Sequence, residues 1–281
     1  MKRAGIIGWP ASHSLSPVLH GYWLKQYGVE GEFVRLPARP EDFAATVEKA
    51  RADGFAGLNV TVPHKEAAFR LAGTHDKAAA ICEAVNLLLF REAAISGGNT
   101  DHVGMRKSLE EALGEKALAG KTVVMLGAGG AARGAILALD EMGVSQIHIF
   151  NRNQARADGL AQAMTPKVTA RLVPGPLAGW SAVAGTASLL VNTSSAGMTG
   201  NEPLVLDLAP LPRGAAVCDI VYNPLQTDLL KNAQARGHVA IDGLGMLMHQ
   251  AAPSFEAFFG VKPEVTAGLR AALVEALQAH G

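Results

Sequence analysis

The apolar residues of the chain fall into short aliphatic and β-branched runs that alternate with amphipathic stretches, with glycine or proline at most boundaries. Short runs bounded in this way are typical of buried strands, and the longer stretches have helical periodicity. Their alternation predicts an α/β fold in which helices cover a mostly parallel sheet. The first third is predicted to contain strands at 4–8, 32–36, 57–62 and 85–90, and helices at 17–27, 41–52 and 65–71. The first helix is expected to have Ser16 as its N-cap, Pro17 at its first position and Gly28 just past its end.

A second alternating series begins after a predicted bridging helix at 102–113. It comprises strands at 121–126 and 146–150, helices at 131–142 and 154–164, and strands near Val168, Leu189 and Val217. The tail is predicted as two helices at 246–259 and 263–280. Because these helices have no strand to pair with, they are expected to cross back and cover the first domain. The chain therefore divides into domains at 1–102 and 103–241, followed by a helical segment at 242–281.

Composition narrows the class of protein. The 281 residues carry 25 Lys and Arg against 25 Asp and Glu, and only 18% of residues are charged. A low and balanced charge does not indicate the basic surface that binds phosphate backbones or anionic lipid, so neither nucleic acid nor a membrane is an expected partner. The two cysteines, Cys82 and Cys218, form no CxxC pair or Cys/His cluster. Two isolated cysteines indicate a reducing cytoplasm, and no metal site is expected. The N-terminus has no apolar stretch suited to a signal peptide.

A glycine-rich turn follows the buried strand predicted at 121–126. It begins at Gly127 and continues through Ala128, Gly129, Gly130 and Ala131 to Ala132, in the G-x-G-x-x-A form. In such a turn the first glycine permits a tight bend, and the second lets the backbone approach a pyrophosphate. The final small residue allows the helix to pack closely on the strand. Because the turn lies between a strand and a helix, it predicts dinucleotide binding.

The next strand ends in a basic segment, which bears on the choice of cofactor. An NAD-selective site usually has a carboxylate here to bind the ribose 2′-hydroxyl, whereas this segment reads Asn151-Arg152-Asn153-Gln154-Ala155-Arg156. Two guanidinium groups suit a 2′-phosphate, so the sequence favours NADP over NAD. The alternative is that Arg152 and Arg156, four residues apart, lie on a solvated helix face.

Polar side chains of the first domain cluster at the ends of predicted strands, where open α/β sheets bind ligands. The clusters are Ser12 to Pro17, Asn59 to Lys65, Ala84-Val85-Asn86 and Gly98-Asn99-Thr100-Asp101. The side chains of these clusters carry hydroxyls, amides, one amine and one carboxylate. Such a set suits a small ligand that is rich in hydroxyls and has one anionic group. No nucleophile elbow accompanies them, so a hydrolase is not indicated.

Motifs in order along nearly the whole chain resemble those of the shikimate dehydrogenase family, including its quinate/shikimate dehydrogenases. The motifs are Gly8-x-Pro10-x-x-His13-Ser14-x-Ser16-Pro17-x-x-His20, Asn59-Val60-Thr61-Val62-Pro63-x-Lys65, Ala84-Val85-Asn86, Asn99-Thr100-Asp101, Gly127-Ala128-Gly129-Gly130-Ala131, Asn151-Arg152, Val221-Tyr222-Asn223-Pro224-x-x-Thr227 and Asp242-Gly243-Leu244-Gly245-Met246-Leu247-x-x-Gln250. The resemblance implies reversible reduction of 3-dehydroshikimate to shikimate with NADPH. It also implies an N-terminal αβ substrate domain, a Rossmann-type NADP domain and C-terminal helices that return to the first domain.

The resemblance also implies a role for each matching residue. Ser14 and Ser16 would bind the substrate carboxylate with help from Tyr222, while Thr61, Asn86 and Gln250 would bind ring hydroxyls. Lys65 and Asp101 would be the catalytic pair. The expected cofactor-binding residues are Gly127, Ala128, Gly129, Gly130, Ala131, Asn151, Arg152, Arg156, Ile220 and Gly243.

The chemistry of Lys65 and Asp101 can also be argued without the resemblance. Oxidation of a secondary alcohol removes a proton as hydride leaves, and a neighbouring cation stabilises the alkoxide-like transition state. A carboxylate beside Lys65 favours its charged form, so an electrostatic role is favoured over that of a base. The structural alternatives are a solvated Lys65, Asp101 as a helix cap and Ser16 as a simple N-cap. His13, His20 and His64 are interpreted as structural.

Three departures from the family pattern affect the predicted specificity. Leu87 stands where threonine is common, His102 where glycine is common, and Cys82-Glu83 where a glycine is usual. They leave open a paralogue acting on quinate or a related hydroxylated ring acid. A dinucleotide-binding regulator without catalysis is the alternative from another class, and a monomer or homodimer is expected.

Overall fold

The computed structural model describes residues 1–91 and 94–279, and these form two compact units. The first unit combines Met1–Asp101 with the chain from Met248 onward, and the second is His102–Leu247. The predicted α/β class, with C-terminal helices that return to the first unit, is confirmed. Predictions for residues 92, 93, 280 and 281, including the end of the last helix at His280, lie outside the described residues.

The described part of the first unit contains a six-stranded mixed sheet in the order β2-β1-β3-β5-β6-β4. Its strands are β1 (Lys2–Gly8), β2 (Gly31–Pro37), β3 (Gly57–Val60), β4 (Thr74–His75), β5 (Leu87–Phe90) and β6 (Ile95–Gly98). β1 pairs in parallel with β2 and β3, in keeping with the predicted mostly parallel sheet, but β5 runs antiparallel to both β3 and β6. The connection between β5 and β6 is too short for a parallel crossover, so these consecutive strands pair as a hairpin.

Helices of the first unit connect these strands. They are α1 (Ser16–Gln26), α2 (Phe43–Ala52), α3 (Lys65–Leu71) and α4 (Lys77–Cys82). The prediction of Ser16 as the N-cap of the first helix is wrong, because Leu15 occupies that position. The backbone N–H of Ser16 instead donates to Ser14 Oγ at 3.2 Å. β4, β6 and α4 were not predicted, because they are short and β6 has the weak strand sequence Ile-Ser-Gly-Gly.

The second unit contains a six-stranded parallel sheet among its described residues, in the order β12-β11-β10-β7-β8-β9. Its elements are α5 (Asp101–Leu113, whose first residue belongs to the first unit), β7 (Thr122–Leu126), α6 (Gly130–Glu141), β8 (Gln146–Asn151), α7 (Gln154–Met164), β9 (Arg171–Pro176), α8 (Ser181–Ala184), β10 (Ala187–Asn192), β11 (Ala216–Asp219), α9 (Asp228–Ala235) and β12 (Val239–Ile241). The strand predicted near Val168 begins three residues later, at Arg171. The central order is that of a doubly wound sheet, which brings the carboxyl ends of β7, β8, β10 and β11 to one edge.

The last two helices are α10 (Gly243–Phe259) and α11 (Ala267–Ala279). The part of α10 from Met248 onward and the whole of α11 belong to the first unit, where α11 lies against α1. Trp23 Nε1 in α1 donates to the carbonyl of Glu264 at 3.0 Å, and the N–H of Glu264 donates to the Tyr27 hydroxyl. These bonds attach the C-terminal segment to the first helix. No helix in the described ranges is long and apolar enough to cross a membrane.

His20 lies in an aromatic cluster in the first unit. Its ring stacks on Phe33 with centroids 3.9 Å apart, and Trp23 and Phe255 approach it from other directions. Neither ring nitrogen has a hydrogen-bond partner among residues 1–91 and 94–279. Burial lowers the pKa of His20 to about 3, and the nearby Asn59 side chain acts in the opposite direction. His20 is therefore a neutral core histidine.

The buried neutral state of His20 predicts a pH-dependent stability. The unfolded chain takes up a proton near pH 6.5, whereas folded His20 resists protonation down to about pH 3. Stability is thus lost as pH falls through this window, and His20 contributes about 2 kcal/mol of that loss between pH 7 and pH 5. Urea unfolding of His20→Leu should show a correspondingly flatter pH dependence. His13→Gln, at an exposed histidine, should keep the wild-type dependence; equal slopes in all three proteins would contradict this account.

Candidate active site

Lys65 and Asp101 form a buried ion pair in the first unit. Lys65 is the first residue of α3 and Asp101 the first residue of α5. Lys65 Nζ lies 2.5 Å from Asp101 Oδ2, and the two side chains are only 12% and 3% exposed. A buried carboxylate at this distance limits where the ammonium group of Lys65 can move. The two residues that the sequence proposed as a catalytic pair are thus in direct contact.

Asn86 is the centre of the hydrogen-bond network that holds Asp101. Its Nδ2 lies 2.9 Å from each of Asp101 Oδ1, Thr100 Oγ1 and Gln250 Oε1. Its Oδ1 accepts the backbone N–H of Thr100 at 2.8 Å. Because an amide nitrogen carries two hydrogens, these three acceptors share two donors. Asn86 and Gln250, predicted to bind ring hydroxyls, are brought beside the Lys65–Asp101 pair.

Asn99 and Asp76 support this network and were not predicted as site residues. Asn99 Oδ1 accepts the backbone N–H of Asp101 at 3.0 Å, and its Nδ2 donates to the carbonyl of Ala84. The N–H of Asn99 donates in turn to Asp76 Oδ2 at 3.2 Å. The motif Asn99-Thr100-Asp101 contained a signal for Asn99. Nothing in the sequence indicated Asp76, because its partner is 23 residues away and follows a strand that was not predicted.

Ser14, Ser16 and Thr61 lie at the carboxyl edge of the first sheet, with Ser14 and Thr61 in loops and Ser16 as the first residue of α1. Ser14 and Ser16 lie at the start of α1 and are 8% and 3% exposed. Thr61 follows β3, and its N–H donates to the carbonyl of Ile7 at 3.0 Å, which ties the loop to β1. His64 precedes Lys65, is buried, and hydrogen-bonds the carbonyl of Ala38 through Nε2 at 2.8 Å. His64 thus packs the start of α3 and is not a ligand in this arrangement.

The positions that depart from the family pattern are Leu87, His102 and the pair Cys82-Glu83. Leu87 is buried in β5, opposite Gly98 of β6. Glu83 adopts a left-handed conformation with φ of 47°, which explains why glycine suits that position. In the second unit, His102 Nε2 lies 3.8 Å from Glu141 Oε1.

Gly127 forms the tight turn that ends β7 in the second unit. Its φ is +108°, and a Cβ there would lie 2.8 Å from Thr193 Oγ1 and 2.9 Å from the nitrogen of Ser194. Its N–H donates to the carbonyl of Phe150 at 2.8 Å, while the N–H of Thr193 donates to Leu126. These bonds connect the loops after β7, β8 and β10. Only glycine combines this backbone conformation with such close neighbours.

The N-terminus of α6 lies open beyond this turn. Gly129 is its N-cap residue without a side-chain cap, and a Cβ at Gly129 would have nothing within 4 Å. Gly130 and Ala131 form the first turn, preceded by Ala128 in the loop, while Ala132 is fully buried against the sheet. Free N–H groups at the positive end of a helix dipole suit a bound phosphate. The predicted cofactor-binding turn therefore has the backbone that a pyrophosphate requires.

Asn151, Arg152 and Arg156 lie at the carboxyl end of β8, the strand next to β7. Asn151 Nδ2 donates to the carbonyl of Asn153 at 2.9 Å and shapes the turn into α7. Arg152 and Arg156 are exposed, and in the described parts of the chain neither has an acidic partner or a hydrogen bond from its guanidinium group. These two guanidinium groups lie at the edge where the cofactor is expected and are therefore suited to bind a 2′-phosphate.

Ile220 and Gly243 meet at the same edge of the second sheet. The N–H of Ile220, just after β11, donates to the carbonyl of Asn192 at 3.1 Å. A Cβ on Gly243 would lie 2.2 Å from the Ile220 carbonyl oxygen, so the start of α10 can approach this backbone only with glycine. Tyr222 is half-buried on the segment that follows Ile220. All the predicted cofactor-binding residues thus lie at one end of the parallel sheet, on strand ends, loops and the first turns of helices.

A buried network that was not predicted supports these loops. Asp219, the last residue of β11, accepts hydrogen bonds from Asn192 Nδ2, Thr227 Oγ1 and the N–H of Val221, at 2.8–3.1 Å. Asn192 Oδ1 in turn accepts from the N–H and hydroxyl of Ser194. Burial raises the pKa of Asp219, and the bonds from Thr227, Val221 and Asn192 oppose that shift. Asp219 therefore joins the loops after β10 and β11.

Comparisons with known proteins agree with this arrangement. Family models match at residues 6–88 (shikimate dehydrogenase substrate binding domain), 109–174 (shikimate / quinate 5-dehydrogenase) and 243–273 (shikimate 5′-dehydrogenase C-terminal domain). A relative from Mesorhizobium japonicum, named shikimate dehydrogenase (NADP(+)), is 47% identical over 273 residues, which cover 97% of this chain and 96% of the relative.

Two solved structures are similar over nearly their whole length. Shikimate 5-dehydrogenase from Thermus thermophilus, in complex with NADP(H) and shikimate, has a TM-score of 0.83 at 33% identity and 99% coverage of both chains. Quinate dehydrogenase from Corynebacterium glutamicum, in complex with NAD, has a TM-score of 0.87 at 29% identity, covering 98% of this chain and 99% of that one.

The fold and the site define a two-unit α/β protein with a dinucleotide-type glycine turn in one unit and a buried lysine–aspartate pair in the other. The matches extend over nearly all of the sequence and place the class without ambiguity. The chain belongs to the shikimate dehydrogenase family.

Proposed function

We propose that this protein is an NADP-dependent shikimate dehydrogenase that catalyses the reversible reduction of 3-dehydroshikimate to shikimate. The buried Lys65–Asp101 pair carries this proposal, because it places an ammonium group in a site otherwise lined by hydroxyls and amides. The relative and the Thermus structure named above support the same activity and cofactor. The first unit is then the substrate domain and the second the cofactor domain.

Lys65 and Asp101 have different roles at the reacting oxygen. In the reduction direction, negative charge develops on the substrate carbonyl oxygen, and Lys65 Nζ stabilises this charge and supplies a proton. Asp101 Oδ2 orients the ammonium group, while Asn86 holds the other carboxylate oxygen. Preorganised partners of this kind need little rearrangement during the reaction. When bound, NADPH supplies the hydride that reaches the carbonyl carbon.

Neutral side chains select the rest of the substrate. Ser14 and Ser16, with Tyr222, are proposed to bind the carboxylate, and Thr61 and Gln250 to bind ring hydroxyls. Buried hydroxyls and amides reject a ligand that lacks the matching groups, because they would remain without partners. Asn86, whose amide is engaged with Asp101, serves both to hold the catalytic carboxylate and to face the substrate.

The cofactor is proposed to bind along the loops at the carboxyl end of the second sheet. Its pyrophosphate would lie against the N–H groups at the start of α6, between Ala128 and Ala131. Arg152 and Arg156 would bind the 2′-phosphate, and Asn151 would shape the turn between them and β8. Ile220 and Gly243 would form the wall at the other side of this edge.

The direct test combines purified protein, shikimate and NADP⁺ and measures reduced cofactor by its absorbance. Turnover with shikimate supports the proposal, whereas turnover of another alcohol without shikimate oxidation rejects it. Specificity constants for shikimate and quinate separate the proposal from a quinate dehydrogenase. Tight binding of both ligands without hydride transfer at any pH would instead favour a non-catalytic regulator, an outcome that the intact Lys65–Asp101 pair argues against.

Cofactor preference is expected to depend on Arg152. Replacing Arg152 by glutamine removes a charge-assisted hydrogen bond to the 2′-phosphate, worth about 1.5–3 kcal/mol. NADP carries this phosphate and NAD does not. The KM for NADP⁺ should therefore rise about tenfold or more while that for NAD⁺ changes little. Steady-state kinetics with both cofactors measures the difference, with Arg213→Gln, at an exposed arginine of the same unit, as control. Equal changes for the two cofactors would refute the assignment.

We further propose that the protein acts in the cytoplasm as a monomer or homodimer and does not bind nucleic acid. The balanced charge of 25 basic and 25 acidic residues supports the last point. The two cysteines are both buried free thiols, which suits a reducing compartment.

A further inference from the structure

Arg35 lies on β2, the edge strand of the first sheet, and contacts the loop that precedes α1. Its Nε and Nη2 both donate to the backbone carbonyl of Ser14, at 3.2 and 2.6 Å. Side chains two residues apart in a strand lie on the same face, so Arg35 shares a face with Phe33. Phe33 stacks on His20 of α1, which shows that this face is the one that α1 covers. The guanidinium group is thus held beside the start of α1 by a forked hydrogen bond.

The serines of this loop retain hydroxyl hydrogens for a ligand. Ser14 Oγ accepts the N–H of Ser16, and among residues 1–91 and 94–279 neither serine hydroxyl donates a hydrogen bond. Both side chains are neutral, although their proposed ligand is a carboxylate. Hydroxyls can orient a carboxylate but do not compensate its charge. The site therefore requires a cation whose charge is not already neutralised.

Arg35 meets this requirement, whereas Lys65 and Arg3 do not. Lys65 is paired with Asp101, and Arg3, on the neighbouring strand, is paired with Glu32. Arg35 has no carboxylate within 4.0 Å in the described parts of the chain, and its only hydrogen-bond acceptor there is an uncharged carbonyl. Its positive charge is added to the positive end of the α1 dipole.

We infer that Arg35 is a positioning and specificity residue for the substrate carboxylate: it fixes the Ser14 backbone and supplies the positive charge that the two serines lack. It touches the protein backbone and not the reacting atoms, so it acts on substrate binding and not on hydride transfer. This role rests on the proposed function, since it assumes that the ring acid binds at Ser14 and Ser16. The side chain is exposed, so solvent screens its charge and salt should weaken its effect.

The test compares Arg35→Gln with Arg35→Lys and uses two ligands, shikimate and its neutral methyl ester. We expect Arg35→Gln to raise the KM for shikimate about three- to tenfold, with kcat near the wild-type value and with a weaker dependence of KM on salt. Affinity for the methyl ester should change much less. Arg35→Lys should stay within about threefold of wild type because it keeps the charge, although it loses the fork to the Ser14 carbonyl. Arg3→Gln is the matched control, since it removes an equal but already paired charge from the same sheet.

Other outcomes would overturn the inference. If Arg35 only held the loop in place, glutamine and lysine would be equally harmful, and acid and ester would lose affinity equally. Calorimetry, which measures the Kd for shikimate, distinguishes failure of the role of Arg35 from failure of the proposed function. If the wild-type protein binds shikimate and Arg35→Gln has the same Kd, only the role of Arg35 is rejected and the proposed function stands. Wild-type protein that neither binds nor oxidises shikimate rejects both.

Discussion

Replacing Lys65 by alanine is expected to lower kcat for shikimate oxidation at least about a hundredfold, with KM nearly unchanged. The ammonium group opposes charge that exists fully only in the transition state, so its removal affects the barrier more than binding of the ground state. The buried position of the pair strengthens the effect, because water cannot readily replace the lost cation. Initial rates at varied shikimate and NADP⁺ concentrations separate the two constants.

Two comparison variants make the result for Lys65 specific. Lys49→Ala removes a lysine that is also paired with an aspartate in the first unit, but whose pair is exposed; wild-type kinetics are expected. Thr61→Ala removes a hydroxyl proposed to bind substrate and transition state alike, so KM should rise while kcat is retained. If Lys65→Ala instead raised KM and preserved kcat, Lys65 would be a binding residue, and Asp101 would have to handle the proton.

Alanine at Gly127 and alanine at Gly129 are both expected to weaken NADP⁺ binding, but only the change at Gly127 is expected to destabilise the fold. At Gly127 the positive φ and the contacts with Thr193 and Ser194 make a Cβ unfavourable. We expect a loss of about 2–4 kcal/mol, seen as a Tm lower by about 5 °C or more, together with loss of NADP⁺ binding. Thermal unfolding without cofactor measures the first effect.

At Gly129 the backbone is extended and the space around a Cβ is open, so the fold should tolerate alanine with a Tm within about 2 °C of wild type. The added methyl group would, however, occupy the space through which a pyrophosphate approaches the start of α6. The Kd for NADP⁺, measured by calorimetry, should rise about tenfold or more. Unchanged affinity in Gly129→Ala would show that the cofactor does not approach this backbone.

The cofactor unit was largely predictable because its signals are local. The turn from Gly127 to Ala132 and the basic segment at Arg152 are contiguous in sequence, and the strand and helix beside each were found within a few residues. The network around Asp219 was not found. Its partners Asn192 and Thr227 come from separate elements, and only the parallel pairing of β10 with β11 brings Asn192 and Asp219 side by side.

The first unit shows the limit of such reasoning more clearly. Lys65 and Asp101 were paired through family resemblance, since a separation of 36 positions in the chain gives no local signal of contact. The antiparallel direction of β5 was not foreseen, because an apolar run such as Leu87–Phe90 has the same pattern in either direction. Asp76 was missed for a related reason, since the strand it contacts has little strand propensity of its own.

The sequence by itself determined the α/β class, the position of the dinucleotide turn and the identities of the polar groups, because these depend on periodicity, on glycine geometry and on side-chain chemistry. Only the tertiary structure decided which groups meet: Asn86 with Asp101, Asp76 with Asn99, and Arg35 with the carbonyl of Ser14. These contacts join residues from different strands and loops. Their formation depends on strand order and register, which are set by burial over the whole sheet and not by neighbouring residues in the chain.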